Sequence, residues 1–117
     1  MAGDRAGAAR QAGDPEDSSQ GHARLDASAS GRVQGVGFRY FVVDAAQERG
    51  LTGWVANLPD GRVRCVAEGR RGQLEALLGA LQRGPAEAHV AEVEATWGPA
   101  TGEFDRFSVR AGGHPGD

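Results

Sequence analysis

Lysine is absent from this chain; all 13 of its basic residues are arginine. That removes Schiff-base chemistry and the lysine of a nucleotide-binding P-loop from consideration. Cysteine occurs once, as Cys65, which excludes a secreted disulfide scaffold. No stretch approaches the ~18 apolar residues of a membrane span, and no apolar signal segment follows Met1. The cytosol is therefore the expected compartment, with no membrane partner. Aromatic residues make up only 6% and hydrophobic residues 39%, so any core is modest and built mainly from Val, Leu and Ala. A length of 117 residues allows one small domain. What the chain holds in excess is glycine: 19 residues, roughly 16% against a usual ~7%.

Composition divides the chain. Residues 1–22 contain no Leu, Ile, Val, Phe, Trp or Tyr. Such a segment cannot bury enough apolar surface to offset its ordering entropy, and a disordered tail is expected there. Residues 111–117 (Ala-Gly-Gly-His-Pro-Gly-Asp) form a second, flexible tail, which leaves a folded unit over about 23–110. Eleven Arg balance eleven Asp plus Glu inside that unit, and the net charge of -3 comes from the tails. A neutral domain is poorly suited to binding nucleic acid through its phosphates, so no nucleic-acid partner is expected.

Within the unit the apolar periodicity alternates in type. Leu25, Ala27 and Ala29 keep a period of two and predict a weak strand ending at Gly31. Phe38, Phe41, Val42 and Ala45 follow at helical spacing, with Gly50 suited to a helix-ending left-handed position. Leu51 to Leu58 reads as a strand, and Pro59-Asp60-Gly61 as a turn. Val63, Cys65 and Ala67 alternate with charged neighbours, predicting a half-buried returning strand. Leu74, Leu77, Leu78 and Leu81 form an i, i+3, i+4, i+7 stripe that Gly84-Pro85 ends. Val90 to Trp97 is extended, and Phe104, Phe107 and Val109 predict a last strand. The order β-α-β-β-α-β predicts an α+β, ferredoxin-like sandwich. Two helices would lie on one face of a mixed, mostly antiparallel sheet of four to five strands. That fold hosts many functions, so function has to come from a site.

The informative stretch is Gly31-Arg32-Val33-Gln34-Gly35-Val36-Gly37-Phe38-Arg39, which joins the first strand to the first helix. Glycines let backbone amides turn inward, and the loop ends at a helix N-terminus that favours an anion. Arg39, in the first helical turn, is placed to grip the same anion through two oxygens. From spacing alone an anion site and a plain tight turn are about equally good readings. The stretch lacks the Lys-Ser or Lys-Thr of a Walker loop and the third glycine of the dinucleotide fingerprint.

Gly-Arg-Val-Gln-Gly-Val-Gly-Phe-Arg at 31–39, followed by Gly53-Trp54-Val55-Ala56-Asn57 and Asp60-Gly61, closely resembles the acylphosphatase family. The resemblance extends over about 23–110. It implies hydrolysis of carboxyl-phosphate bonds of a small-molecule acyl phosphate by a monomer. It also implies that the amides of Arg32, Val33, Gln34, Gly35, Val36 and Gly37 bind the phosphate together with Arg39, and that Asn57 orients water. The first strand departs from the family by carrying Ala27 and Ala29 in place of bulkier residues, which predicts looser packing beneath the loop.

These residue types suit the chemistry. A carboxylate leaving group is a stable anion near neutral pH, its acid having a pKa of ~4, so no general acid is needed. What remains is to hold the phosphoryl dianion, spread its charge and place water in line. A neutral Asn both donates and accepts hydrogen bonds without repelling phosphate. No metal or other cofactor is expected, because His22, His89 and His114 lack metal-ligand spacing. Cys65 reads as a small core residue, Trp54 as packing and Asp60 as a turn residue, while Tyr40 either lines the site or lies on the helix surface.

Three other readings compete. An acylphosphatase-like domain acting on carbamoyl phosphate, as in hydrogenase-maturation carbamoyltransferases, fits residues 37–42, but that larger protein needs zinc-binding cysteines and further domains. An RNA-recognition module shares the element order, yet Arg62 to Glu68 has no aromatic on which to stack bases. The third is a noncatalytic anion-binding domain.

Overall fold

A computed structural model describes residues 21–111. The expected tails fall almost wholly outside that range, except that the first strand already begins at His22. In chain order the elements are β1 (His22–Arg32), α1 (Phe38–Glu48), β2 (Thr52–Asn57), β3 (Val63–Arg70), α2 (Arg71–Arg83), β4 (His89–Pro99) and β5 (Phe107–Val109). The five strands form one sheet in the order β4-β1-β3-β2-β5. All neighbours are antiparallel except β2 and β5, which run parallel. This is the ferredoxin-like α+β arrangement expected from the periodicities.

One face of the sheet carries the core. Leu25, Ala27 and Ala29 of β1 sit opposite Ala67, Cys65 and Val63 of β3, and Val55 of β2 sits opposite Cys65. Alternate residues of a strand share a face, so these side chains form one layer. Phe38, Val42 and Ala46 of α1 and Leu74, Leu77 and Leu81 of α2 close over it. Ala27 and Ala29 of β1 are almost fully buried in this core. Helix α1 ends on Gly50 in the left-handed region. The Gly50 amide donates to the Gln47 carbonyl at 3.2 Å and the Leu51 amide to the Ala46 carbonyl at 3.0 Å, a Schellman ending that turns Leu51 into the core.

Several boundaries differ from expectation. β1 continues past Gly31 to Arg32, with a register shift against β4 between Ser30 and Gly31. Gly31 has φ +117°, and a β-carbon there would lie 2.3 Å from the His89 carbonyl oxygen, so only glycine lets β4 approach this closely. β2 is shorter than Leu51 to Leu58, because Leu51 belongs to the helix ending and Leu58 to the turn. Leu78 is only partly buried, and Ala80 takes a buried place on α2 instead. Phe104 lies in the loop before β5, with the Arg24 guanidinium 5.2 Å from its ring centre.

The half-buried reading of β3 also needs correction, since Val66 and Glu68 on its other face are buried as well. Val66 is flanked by Asp26 and Trp54 on the neighbouring strands. Glu68 is covered by the loop after β4. Its carboxylate accepts from the amides of Thr101 (3.0 Å) and Gly102 (2.9 Å), the Thr101 hydroxyl (2.9 Å) and Arg24 Nη1 (3.0 Å). Burial alone would push this carboxyl up. The amide, hydroxyl and guanidinium donors outweigh it and hold the carboxyl below its ordinary value.

A carboxyl whose folded value is lowered adds stability that is complete above its unfolded value of ~4.3 and fades as pH falls through the folded value. Glu68→Gln should therefore cost about 1–3 kcal/mol at pH 7. The gap from the parent chain should close in melts taken below the ordinary carboxylate range.

Candidate active site

The glycine loop is held at both ends by the core. Val33 and Phe38 are 1% and 2% exposed, while Gly35 and Gly37 between them lie on the surface. Gly35 (φ +76°) and Gly37 (φ +79°) both take the left-handed conformation. A β-carbon at either would meet nothing within 4 Å, so the demand for glycine here is conformational and not steric. Arg32, expected in this loop, is instead the exposed last residue of β1, opposite His89.

Gly37 is also the N-cap of α1. No side chain caps the helix start, and no acidic residue occupies its first turn. The first described capping bond is donated by Phe41 to the Gly37 carbonyl at 3.0 Å. None of the described turn and loop bonds takes its donor from the amides of Gln34, Gly35, Val36 or Gly37. An uncapped helix start beside a run of such amides is suited to an anion. Arg39 is half-buried in the first turn of α1, one residue after the Phe38 anchor. Tyr40 is 66% exposed, which places it on the surface of the helix.

Asn57 is the last residue of β2 and pairs with Val63. It shares the helix-covered face of the sheet with Val55. Its Oδ1 is buried and accepts no hydrogen bond from any described residue. Beyond it the chain turns at Leu58-Pro59-Asp60-Gly61. The Gly61 amide donates to the Leu58 carbonyl at 3.1 Å, and the Leu58 amide to the Arg62 carbonyl at 2.8 Å. Asp60 is a turn residue, as expected. Its carboxylate accepts from the Arg62 amide (3.1 Å) and Arg62 Nε (2.9 Å), and the amide is the main reason that it is held below the usual carboxylate value.

Loop and hairpin meet through a contact that periodicity does not announce. Gln34 Nε2 donates to the Leu58 carbonyl at 2.8 Å and to the Arg62 carbonyl at 3.0 Å. The residue after Asn57 is thus tied to the residue at the head of the glycine loop. The other residues considered for chemistry lie elsewhere. Burial, reinforced by nearby Asp26, pushes the Cys65 thiol well above its ordinary range, as for an inert core cysteine. Trp54 is on the helix-free face, with the guanidiniums of Arg110 and Arg64 at 4.6 and 5.4 Å from its ring centre. His22 and His89 sit at opposite ends of the sheet ladder of β1, and His114 lies outside the described residues. Among the described residues no three His, Cys, Asp or Glu side chains gather as a metal-binding group.

Known proteins share this arrangement. The family model for acylphosphatase matches residues 25–109. The chain belongs to the acylphosphatase family. An acylphosphatase from Anaeromyxobacter sp. (strain Fw109-5) is 49% identical over 88 residues, covering 75% of this chain and 95% of that one. Among solved structures, the acylphosphatase from Bacillus subtilis superposes with a TM-score of 0.73 at 39% identity, over 75% of this chain and 98% of that chain. Full-length HypF, in a phosphate- and nucleotide-bound form, gives a TM-score of 0.71 at 27% identity, over 78% of this chain and 12% of that chain. A similar fold is therefore also found as a small part of a longer protein.

The left-handed turn at Gly37 has a direct test. A β-branched residue there should destabilise the fold by about 1–2 kcal/mol. Asparagine, which visits this conformation and also caps helices, should cost less. Urea melts of Gly37→Val and Gly37→Asn should differ in that order.

Proposed function

We propose that this chain hydrolyses the carboxyl-phosphate bond of small acyl phosphates, with the amides of residues 32–37 and Arg39 holding the phosphoryl group and Asn57 orienting the attacking water. Membership of the acylphosphatase family supports the reaction class. The observation that carries the residue roles is the buried Asn57 Oδ1 with no donor to satisfy it, on the strand end to which Gln34 binds the glycine loop. A buried acceptor without a donor costs free energy, and a substrate water held there would remove that cost.

The chemistry needs little more. Amides of the loop and the start of α1 surround the equatorial oxygens of the dianion, and the Arg39 guanidinium spreads their charge. Water held by the Asn57 carboxamide attacks phosphorus in line with the acyl oxygen. As the new P–O bond forms, the bond to that oxygen breaks, and the carboxylate leaves with the electron pair. The proton from water passes to a phosphoryl oxygen of the substrate, since Asn57 cannot accept it. No group has to donate a proton to the departing carboxylate.

A steady-state assay on a simple aryl acyl phosphate, with carbamoyl phosphate as a second arm and chelator as a metal control, tests the reading. Arg39→Gln should lower kcat by about 100-fold or more and weaken inhibition by inorganic phosphate. Asn57→Ala should lose turnover yet keep phosphate inhibition, with a melting temperature no lower than that of the parent, because the change removes an unsatisfied buried atom. Full activity in Asn57→Ala would remove the water-orienting role.

A further inference from the structure

Resting on that reading, we infer that the Gln34 side chain is a positioning residue: its carboxamide sets the distance between the phosphate-holding loop and the water-orienting Asn57. The backbone of Gln34 belongs to the loop, while its side chain leaves the loop and inserts into the mouth of the β2–β3 hairpin. There Nε2 places its two N–H groups on two carbonyls, Leu58 at 2.8 Å and Arg62 at 3.0 Å.

Those two carbonyls flank the hairpin turn and already have backbone partners. The Leu58 oxygen accepts from the Gly61 amide, and the Arg62 oxygen from the Leu58 amide. The turn is thus closed by its own backbone, by Pro59 and by the Asp60–Arg62 contacts. Gln34 adds nothing that the hairpin needs in order to form. What its two bonds fix is the placement of the hairpin relative to the loop. Leu58 is covalently next to Asn57, so movement at the Leu58 carbonyl carries Asn57 with it. Water and phosphorus are held by two different chain segments, and in-line attack requires both at a set separation. A displacement of about 1 Å between such groups can cost about 100-fold in rate.

The loop has separate support. Val33 and Phe38 anchor it in the core on either side, and Gly35 and Gly37 shape it. Loss of the Gln34 carboxamide should therefore leave the anion cradle standing while the water holder drifts. This separates a positioning role from general support of the loop, which would weaken phosphate binding and turnover together.

The experiment compares kcat on the aryl acyl phosphate with the inhibition constant of inorganic phosphate in the full chain. Gln34→Met, close in volume but unable to donate, should lower kcat by about tenfold to 100-fold. Its phosphate inhibition constant should stay within about twofold of the parent. Gln34→Asn, which keeps the donor on a stem one methylene shorter, should recover part of kcat. It also supplies the same comparison if Gln34→Met proves unstable in thermal melts. Equal losses in kcat and phosphate affinity, or no loss in either, would overturn the inference. A parent chain that turns over and an inactive Asn57→Ala variant, combined with an unchanged Gln34→Met, would overturn this inference alone. A parent chain without turnover would overturn both it and the proposed function.

Discussion

Two buried side chains, Val33 and Phe38, constrain everything at the candidate site. Between them the backbone must reverse from strand to helix in four residues, with both ends committed to the core. Ordering a residue costs about 1–2 kcal/mol, and burying one large apolar side chain returns about 1.5–3 kcal/mol. Two anchors can thus offset much of the entropy of holding the four residues between them in one shape. The left-handed angles at Gly35 and Gly37 let that shape turn without strain. Under the proposed function the loop is thus shaped before any anion arrives, and pre-organisation of this kind is what makes fixed amides effective against developing charge.

Several of the remaining charges pair with one another. On the helix-free face Arg64 makes a two-pronged contact with Asp26, its Nε and Nη2 at 3.0 and 2.6 Å from the two carboxylate oxygens. Arg24 bridges Glu68 and Glu103. Guanidiniums approach Trp54 as well, and Arg71 lies 3.7 Å from the centre of the Trp97 ring. Arginine alone serves these purposes well, because its planar fork both binds carboxylates through two atoms and stacks on rings.

The parts of this molecule legible in the sequence are those written in short-range patterns. The inward alternation of Leu25, Ala27 and Ala29, the leucine stripe of α2, the Gly50 helix ending and the Pro59-Asp60-Gly61 turn each follow from neighbours within one or two turns of chain. The glycine loop is legible for the same reason. Features set by distant partners are not. Val66 and Glu68 look like the outer face of a half-buried strand. Only the return of residues 101–102 over that face buries the carboxylate, and no periodicity in β3 encodes it. Phe104 shows the same limit, since an aromatic three positions before a strand is equally good as a ring beneath Arg24. The side chain of Gln34 is a third instance. The resemblance assigns that position an amide of the loop, whereas its carboxamide belongs to a hairpin 24 and 28 residues further on.

The unsatisfied Oδ1 of Asn57 fits this division of labour. In a small domain every buried polar atom without a partner lowers a net stability that is only several kcal/mol to begin with. Elsewhere among the described residues this fold is nearly strict: besides Asn57 Oδ1, only Arg49 Nε is a buried side-chain polar atom without a partner. The buried carboxylate of Glu68 collects donors from two amides, a hydroxyl and a guanidinium. Asn57 departs from that strictness at the end of β2, where the backbone ladder and the Gln34 contacts fix the chain on both sides. An acceptor held rigidly without a donor is a poor feature for folding and a good one for catching a water molecule, because no internal bond has to break first. The same economy explains a neutral amide at that place. A carboxylate would bind water as well, but under the proposed function it would stand against the dianion held by the loop, and the repulsion would fall on the step in which the two must approach.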